Sequence, residues 1–171
     1  MAKWPWIDRK FNFDFPPSKL PDILERLRGT PARIEEMVGG LDSETLTYHD
    51  GHGWSIQENI GHISDPVVLA LTRLEQIMAG EPILIAADMT NRKTNEADFN
   101  SMDIKTMLAD FRAKREKLVA VFEELDETDW GKSSLHPRLQ QPMRIVDIAY
   151  FNVEHDDYHL ARIRQLIRAE T

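Results

Sequence analysis

The sequence contains no cysteine in its 171 residues. The chain therefore has no disulfide, no cysteine-ligated metal cluster and no thiolate nucleophile, and thiol chemistry would need a thiol from outside. It also has no apolar run approaching the roughly 20 residues of a membrane span. Charged side chains interrupt residues 1–15, so they lack the apolar region of a signal peptide. We therefore expect a cytoplasmic protein without a membrane partner.

Positive charge is scarce relative to negative charge. Lysine and arginine number 21 against 29 aspartates and glutamates, which gives a net charge of −8. Proteins that bind nucleic acid generally present a basic face, so this balance argues against a nucleic-acid partner. The hydrophobic fraction of 42% is ordinary for a globular domain, and the length fits a single domain.

Aromatic residues are concentrated at the N-terminus, where they alternate with polar residues until Pro16-Pro17. Such alternation favours an extended segment. We expect residues 1–17 to form an extended aromatic segment packed on one domain of residues 18–171. Five rings are many for so short a segment, so they cover either the chain's own bundle or a second subunit of a homodimer. These rings belong to Trp4, Trp6, Phe11, Phe13 and Phe15.

Four stretches repeat apolar residues with the 3.6-residue period of amphipathic helices. They cover approximately residues 18–38, 56–79, 102–125 and 143–169. Residues 29–31 interrupt the first, which is either one kinked helix or two pieces. The second begins with a capping box from Ser55 to Glu58, and Pro66 is expected to kink it. With no convincing strand pattern, the sequence predicts an all-α, antiparallel four-helix bundle.

Polar connections precede the third and fourth helices. Residues 80–100 show no regular period, and long irregular segments in compact domains are often functional. Ser101 is expected to cap the third helix. Arg115 lies either on a solvated helix face or against an anion or buried carboxylate. The candidates for a substrate pocket are Asp88, Asn91, Arg92, Arg115 and His136.

Two of the six histidines, His155 and His159, stand four residues apart on the predicted fourth helix. This spacing puts both imidazoles on one face, which also carries apolar residues and should point into the bundle. Buried imidazoles need partners, and either a shared metal ion or ordinary hydrogen bonds would supply them. His62 on the second helix offers a third ligand, or is simply a packed histidine.

Two motifs resemble those of the DinB-like superfamily. Residues 54–62 read Trp-Ser-Ile-Gln-Glu-Asn-Ile-Gly-His, which is similar to that superfamily's Trp-Ser-x-x-Glu-x-x-x-His motif. Residues 155–159 resemble its second histidine motif. The motifs occur in the same order, and the resemblance extends from about Leu20 to Ile167.

The resemblance implies a four-helix bundle in which His62, His155 and His159 hold one divalent ion, commonly nickel or zinc. The activities of that superfamily are metal-dependent hydrolysis and reactions of low-molecular-weight thiols with small-molecule substrates. Three neutral nitrogen ligands leave an ion positively charged, which favours activation of water or a thiol. The expected function is therefore a hydrolase or small-thiol transferase, and the alternative is a non-catalytic metal-binding or dimeric interaction bundle. Carboxylates expected to orient the imidazoles are Asp65, Asp156 and Glu58, although Glu58 also fits the capping box.

Overall fold

The structure is a computed structural model that describes residues 4–170, with only the backbone of residue 170. Residues 1–3 and 171, which the predicted segment and domain include, lie outside the described residues. The helices are α1 (Leu20–Val38), α2 (Ser43–Thr47), α3 (Ile56–Met78), α4 (Arg92–Glu96), α5 (Ile104–Glu123) and α6 (Ile145–Glu170). Short 3-10 turns occur at Trp6–Asp8, Pro17–Lys19 and Phe99–Ser101.

The four long helices confirm the predicted bundle, and two apolar clusters show how they run. One cluster joins the beginnings of α1 and α6 to the ends of α3 and α5, and the other joins the opposite halves. Helices α1 and α6 therefore run one way, and α3 and α5 run the other. Each of α1 and α3 packs against both α5 and α6, so the order around the bundle is α1, α5, α3, α6.

The connection between α3 and α5 follows from this arrangement. Because these neighbours are parallel, the chain must return along the bundle before α5 can begin. Helix α3 has 23 residues, or about 34 Å of helix. Residues 79–103, here called the return segment, make this connection and include the irregular segment predicted at 80–100. They contain α4 and the turn Phe99–Ser101.

The start of α3 has the predicted capping box. The hydroxyl of Ser55 accepts a hydrogen bond from the Glu58 backbone N–H, and the Glu58 carboxylate accepts one from the Ser55 backbone N–H. Helix α1 continues through Pro31 as one element, and α3 likewise contains Pro66.

The predicted cap of α5 is wrong. Asp103 caps this helix, since its carboxylate accepts a hydrogen bond of 2.8 Å from the Thr106 backbone N–H. Ser101 lies before the helix, and its hydroxyl donates to Asp98. A carboxylate at the helix start also interacts favourably with the positive end of the helix dipole, which favours Asp103.

A small β-hairpin corrects the expectation that the chain has no strands. Strands β1 (Ser133–His136) and β2 (Gln141–Arg144) pair antiparallel. Ile83 forms an isolated parallel bridge with Leu135, which ties the return segment to the hairpin. Each strand has only four residues, too few to show a clear two-residue period.

Residues 4–17 lie along α6 and the hairpin. Arg138, Gln141 and Arg144 donate hydrogen bonds to backbone carbonyls of this segment. Its rings also contact α6, with Trp6 centred 5.0 Å from Phe151. Within residues 4–170, none of the helices has both the length and the apolar character needed to cross a membrane.

Candidate metal centre

Three imidazoles meet where α3 faces α6. His62 comes from α3, and His155 and His159 come from successive turns of α6. One nitrogen from each lies within 4.8 Å of the others. The Nε2 atoms of His62 and His155 are 3.4 Å apart, and those of His155 and His159 are 3.2 Å apart. Ligand nitrogens around tetrahedral zinc lie about 3.4 Å apart, so the spacing fits a single ion.

Hydrogen bonds hold the outer side of two rings. The Nδ1 atom of His159 lies 2.8 Å from Asn59 Oδ1. The Asn59 amide donates to the carbonyls of Trp54 and Ser55, so its oxygen is the acceptor. His159 Nδ1 therefore carries the proton, and its Nε2 presents an electron pair to the cluster.

Thr94 plays the corresponding role at His62. Its hydroxyl lies 2.9 Å from His62 Nδ1, which leaves Nε2 facing His155. Partners of this kind fix the orientation of metal-binding imidazoles. Burial lowers the pKa of His62 to about 4, with Asp65 acting in the opposite direction. The ring is therefore neutral at pH 7, as metal binding requires.

Aromatic rings surround the three histidines. The ring of Trp54 is centred 4.4 Å from that of His62, and Trp6 is centred 4.9 Å from His155. Tyr158 lies against His159, with ring centres 5.1 Å apart. The N-terminal segment thus reaches the cluster through Trp6, a contact that the sequence did not predict.

The predicted orienting carboxylates have other partners. Glu58 belongs to the capping box, and Asp65 forms an ion pair with Lys93. Asp156 accepts hydrogen bonds from the Thr30 hydroxyl and the Arg115 guanidinium. Two side chains that bond ring nitrogens here are the amide of Asn59 and the hydroxyl of Thr94. Asn59 stands three residues before His62, a spacing that could have suggested a shared helix face. Thr94 lies in the irregular segment 80–100 that was expected to be functional, but it was not among the predicted site residues.

The predicted pocket residues lie in separate places. Asp88 accepts hydrogen bonds from the Thr90 hydroxyl and from the backbone N–H groups of Thr90 and Arg92, and these bonds lower its pKa. Asn91 and Arg92 are exposed at the start of α4. Arg115 lies in the bundle core beside Asp156, and His136 is buried at the end of β1. From the return segment, Thr94 forms a hydrogen bond with the histidine cluster.

Sequence comparisons find related proteins in bacilli. A protein of Bacillus licheniformis named "Putative metal-dependent hydrolase" is 23% identical over 140 residues, covering 81% of this chain and 79% of the relative. A protein of Bacillus pumilus with the same name is 24% identical over 151 residues, covering 85% and 83%.

Solved structures share the fold. YfiT from Bacillus subtilis, described as a probable metal-dependent hydrolase with an unusual four-helix bundle topology, matches with a TM-score of 0.82 at 18% identity, over 95% of this chain and 93% of that one. A mycothiol-dependent maleylpyruvate isomerase matches with a TM-score of 0.67 at 14% identity, over 90% and 67%. Residues 26–163 match the DinB superfamily, and the chain belongs to that superfamily.

Proposed function

We propose that this protein is a metal-dependent hydrolase of small molecules, in which His62, His155 and His159 hold one divalent ion. The observation that carries the proposal is the convergence of three imidazole nitrogens within 4.8 Å. The names of the two bacillus relatives support hydrolysis as the reaction class. Nickel and zinc are the ions that we propose, since both accept imidazole ligands.

The chain's own residues would position and protect this site. A divalent ion supplies Lewis acidity, which makes a small nucleophile such as water more acidic near neutral pH. Asn59 and Thr94 orient two of the rings, so their Nε2 atoms stay aimed at one point. Trp6 and Trp54 cover two sides of the cluster with apolar surface, which limits access of bulk water.

Transfer of a low-molecular-weight thiol is the second candidate. The chain contains no cysteine, so the thiol would be a separate partner that binds beside the substrate. The fold likeness to a mycothiol-dependent isomerase makes this reaction worth testing. In this case the same ion would lower the pKa of the incoming thiol.

Metal content provides the first test. Protein purified without a histidine tag should hold about one divalent ion per chain, because three imidazoles converge on one point. His62→Ala, His155→Ala and His159→Ala should each lower the content sharply. His52→Ala is the matched control, since His52 is exposed and should leave the content unchanged. Full metal content in the three variants would show that the ligands are wrongly assigned.

Activity assays distinguish hydrolysis from thiol transfer. Metal-loaded protein should be assayed on esters, amides and electrophiles, each with and without a panel of small thiols. Hydrolysis needs no added thiol, whereas thiol transfer is absent without it and saturates with its concentration. Inactivity of fully metal-loaded protein across the panel would favour the non-catalytic metal-binding bundle.

The homodimer and the cytoplasmic location stay predictions. Phe11, Phe13 and Phe15 are half-buried within this chain, which uses part of the aromatic surface on which the dimer was predicted. Light scattering on the full chain would test the dimer, and a monomeric mass would contradict it.

A further inference from the structure

Two arginines lie near one another where α3, the hairpin and the N-terminal segment meet. Arg73 on α3 is 4% exposed and donates two hydrogen bonds to the Ile85 carbonyl, of 3.1 and 2.9 Å. Arg138, which follows β1, donates to the Ile7 carbonyl at 3.1 Å and lies over the ring of Phe151. Among residues 4–170, neither guanidinium has an acidic partner within 4.0 Å. The described part of the chain therefore provides no ion-pair partner for either charge.

His136 adds a buried donor to these cations. It is 2% exposed, and its Nδ1 accepts hydrogen bonds from the backbone N–H groups of Arg138 and Leu139, both at 3.2 Å. The neutral ring must therefore carry its proton on Nε2. Neither His136 Nε2 nor Arg138 Nη2 has a hydrogen-bond partner among the described residues, although both atoms are buried. Buried donors without acceptors are costly, so both indicate a missing acceptor.

The electrostatics of the three groups agree with this geometry. Burial is the largest cause that lowers the pKa of His136 to about 4, and the charges of Arg73 and Arg138 lower it further. Burial and the charge of Arg138 also lower the pKa of Arg73 to about 10. An anion placed here would gain both charge attraction and hydrogen bonds, which are strongest when one partner is charged.

We infer that Arg73, His136 and Arg138 form a binding site for the oxyanion group of a small molecule, a carboxylate or a phosphate. The assignment of this molecule as the substrate rests on the proposed hydrolase function. Phe151 lies one turn, about 6 Å, before His155 on α6. Its ring is centred 5.6 Å from that of His136, and Trp6 contacts both Phe151 and His155. A molecule lying along this side of α6 would reach both the oxyanion site and the histidine cluster.

Calorimetric titration of the metal-loaded protein with inorganic phosphate and with malonate tests the site. Ionic strength must be fixed, since screening weakens charge attraction. We expect saturable binding, and the tighter of the two probes identifies the oxyanion. Arg138→Gln should weaken binding at least tenfold, as should His136→Gln. Arg164→Gln is the matched control, because it removes the same charge from an exposed position and should leave affinity unchanged.

A second readout keeps the test independent of any folding defect. In the wild-type protein, the nitrogen NMR signal of His136 Nε2, identified by its loss in His136→Gln, should shift on anion addition. No binding of either probe by the wild type, or equal affinity of Arg138→Gln and Arg164→Gln, would overturn the inference. Metal content measured on the same samples separates the proposals: full metal without anion binding removes only the oxyanion site, and anion binding without metal removes only the metal centre.

Discussion

Helix α6 carries two buried polar clusters that begin at neighbouring residues and face different helices. His155 meets His62 of α3, whereas Asp156 accepts hydrogen bonds from Thr30 of α1 and Arg115 of α5, at 3.0 and 2.8 Å. Asp156 and Arg115 are 2% and 1% exposed, and each balances the other's charge. The histidine cluster instead gathers three imidazole Nε2 atoms, which is the arrangement that we propose to hold a cation.

The contrast shows that charge balance, rather than burial alone, separates a structural cluster from a candidate ligand site. Burial raises the pKa of Asp156, and the nearby Arg115 acts against that rise. A buried ion pair contributes little net stability, but removing one partner leaves an uncompensated charge. By the same criterion, the unbalanced group of Arg73, His136 and Arg138 is a place for a ligand.

Breaking the ion pair between Asp156 and Arg115 should have the largest effect on stability. Asp156→Asn leaves the Arg115 charge unpaired, so we expect the free energy of unfolding to fall by about 3–5 kcal/mol in urea. Metal content per folded chain should not change. The control Asp22→Asn removes the carboxylate of an exposed pair with Lys19 and should cost at most about 1 kcal/mol. Loss of metal without loss of stability would instead connect Asp156 to the histidine cluster.

Removing the ion should have the next largest effect. At a free metal concentration of 100 times Kd, binding stabilises the folded state by about 2.7 kcal/mol. Chelation should therefore lower the melting temperature of the wild type. His155→Ala should melt at the same temperature with and without chelator, and a shift equal to that of the wild type would contradict the site.

Gly61 tests how closely the return segment must approach the cluster. A Cβ atom at this position would lie 2.5–2.6 Å from the Phe99 ring, one residue from His62. Gly61→Ala should therefore cost about 2 kcal/mol of unfolding free energy. The control is Gly29→Ala in α1, where a Cβ meets nothing within 4 Å and should stabilise the helix. Equal effects of the two substitutions on thermal unfolding would disprove the close contact.

Acidification, which protonates His136, should have the smallest effect on stability. Its folded pKa of about 4 lies below the unfolded value of about 6.5, so protons favour the unfolded chain between these values. The stability contribution is complete above pH 6.5 and is lost as the pH falls toward 4. By pH 5.5 the free energy of unfolding of the wild type should fall by about 1.4 kcal/mol more than that of His136→Gln. If urea titrations show the same loss of unfolding free energy on acidification in both proteins, this prediction is wrong.

Features within a single helix were predictable from the sequence. The capping box of Ser55 and Glu58 depends on residues three apart, and the facing of His155 and His159 depends on residues four apart. Both depend only on the period of an α-helix, which sequence spacing expresses directly.

Features that join distant segments were not predictable in this way. The contact of Thr94 with His62 depends on the route of the return segment, and the placement of Arg115 beside Asp156 depends on which helices are neighbours. The four-residue strands of the hairpin are stabilised by pairing rather than by a pattern of their own. Arg73 is likewise buried beside the Ile85 carbonyl, an acceptor that lies near it only in the folded chain.

The order of helices around the bundle has a consequence for folding. Of the consecutive long helices, α3 and α5 are neighbours but parallel, while α1 and α3, and α5 and α6, face each other across the bundle. Within residues 4–170, consecutive long helices therefore form no antiparallel helical hairpin, and native packing requires closure of long loops. Proteins with such distant contacts fold more slowly than bundles with local ones. Fragments containing two consecutive long helices should remain largely unfolded, and the histidine cluster, whose members His62 and His155 are 93 residues apart, assembles only when the whole chain folds.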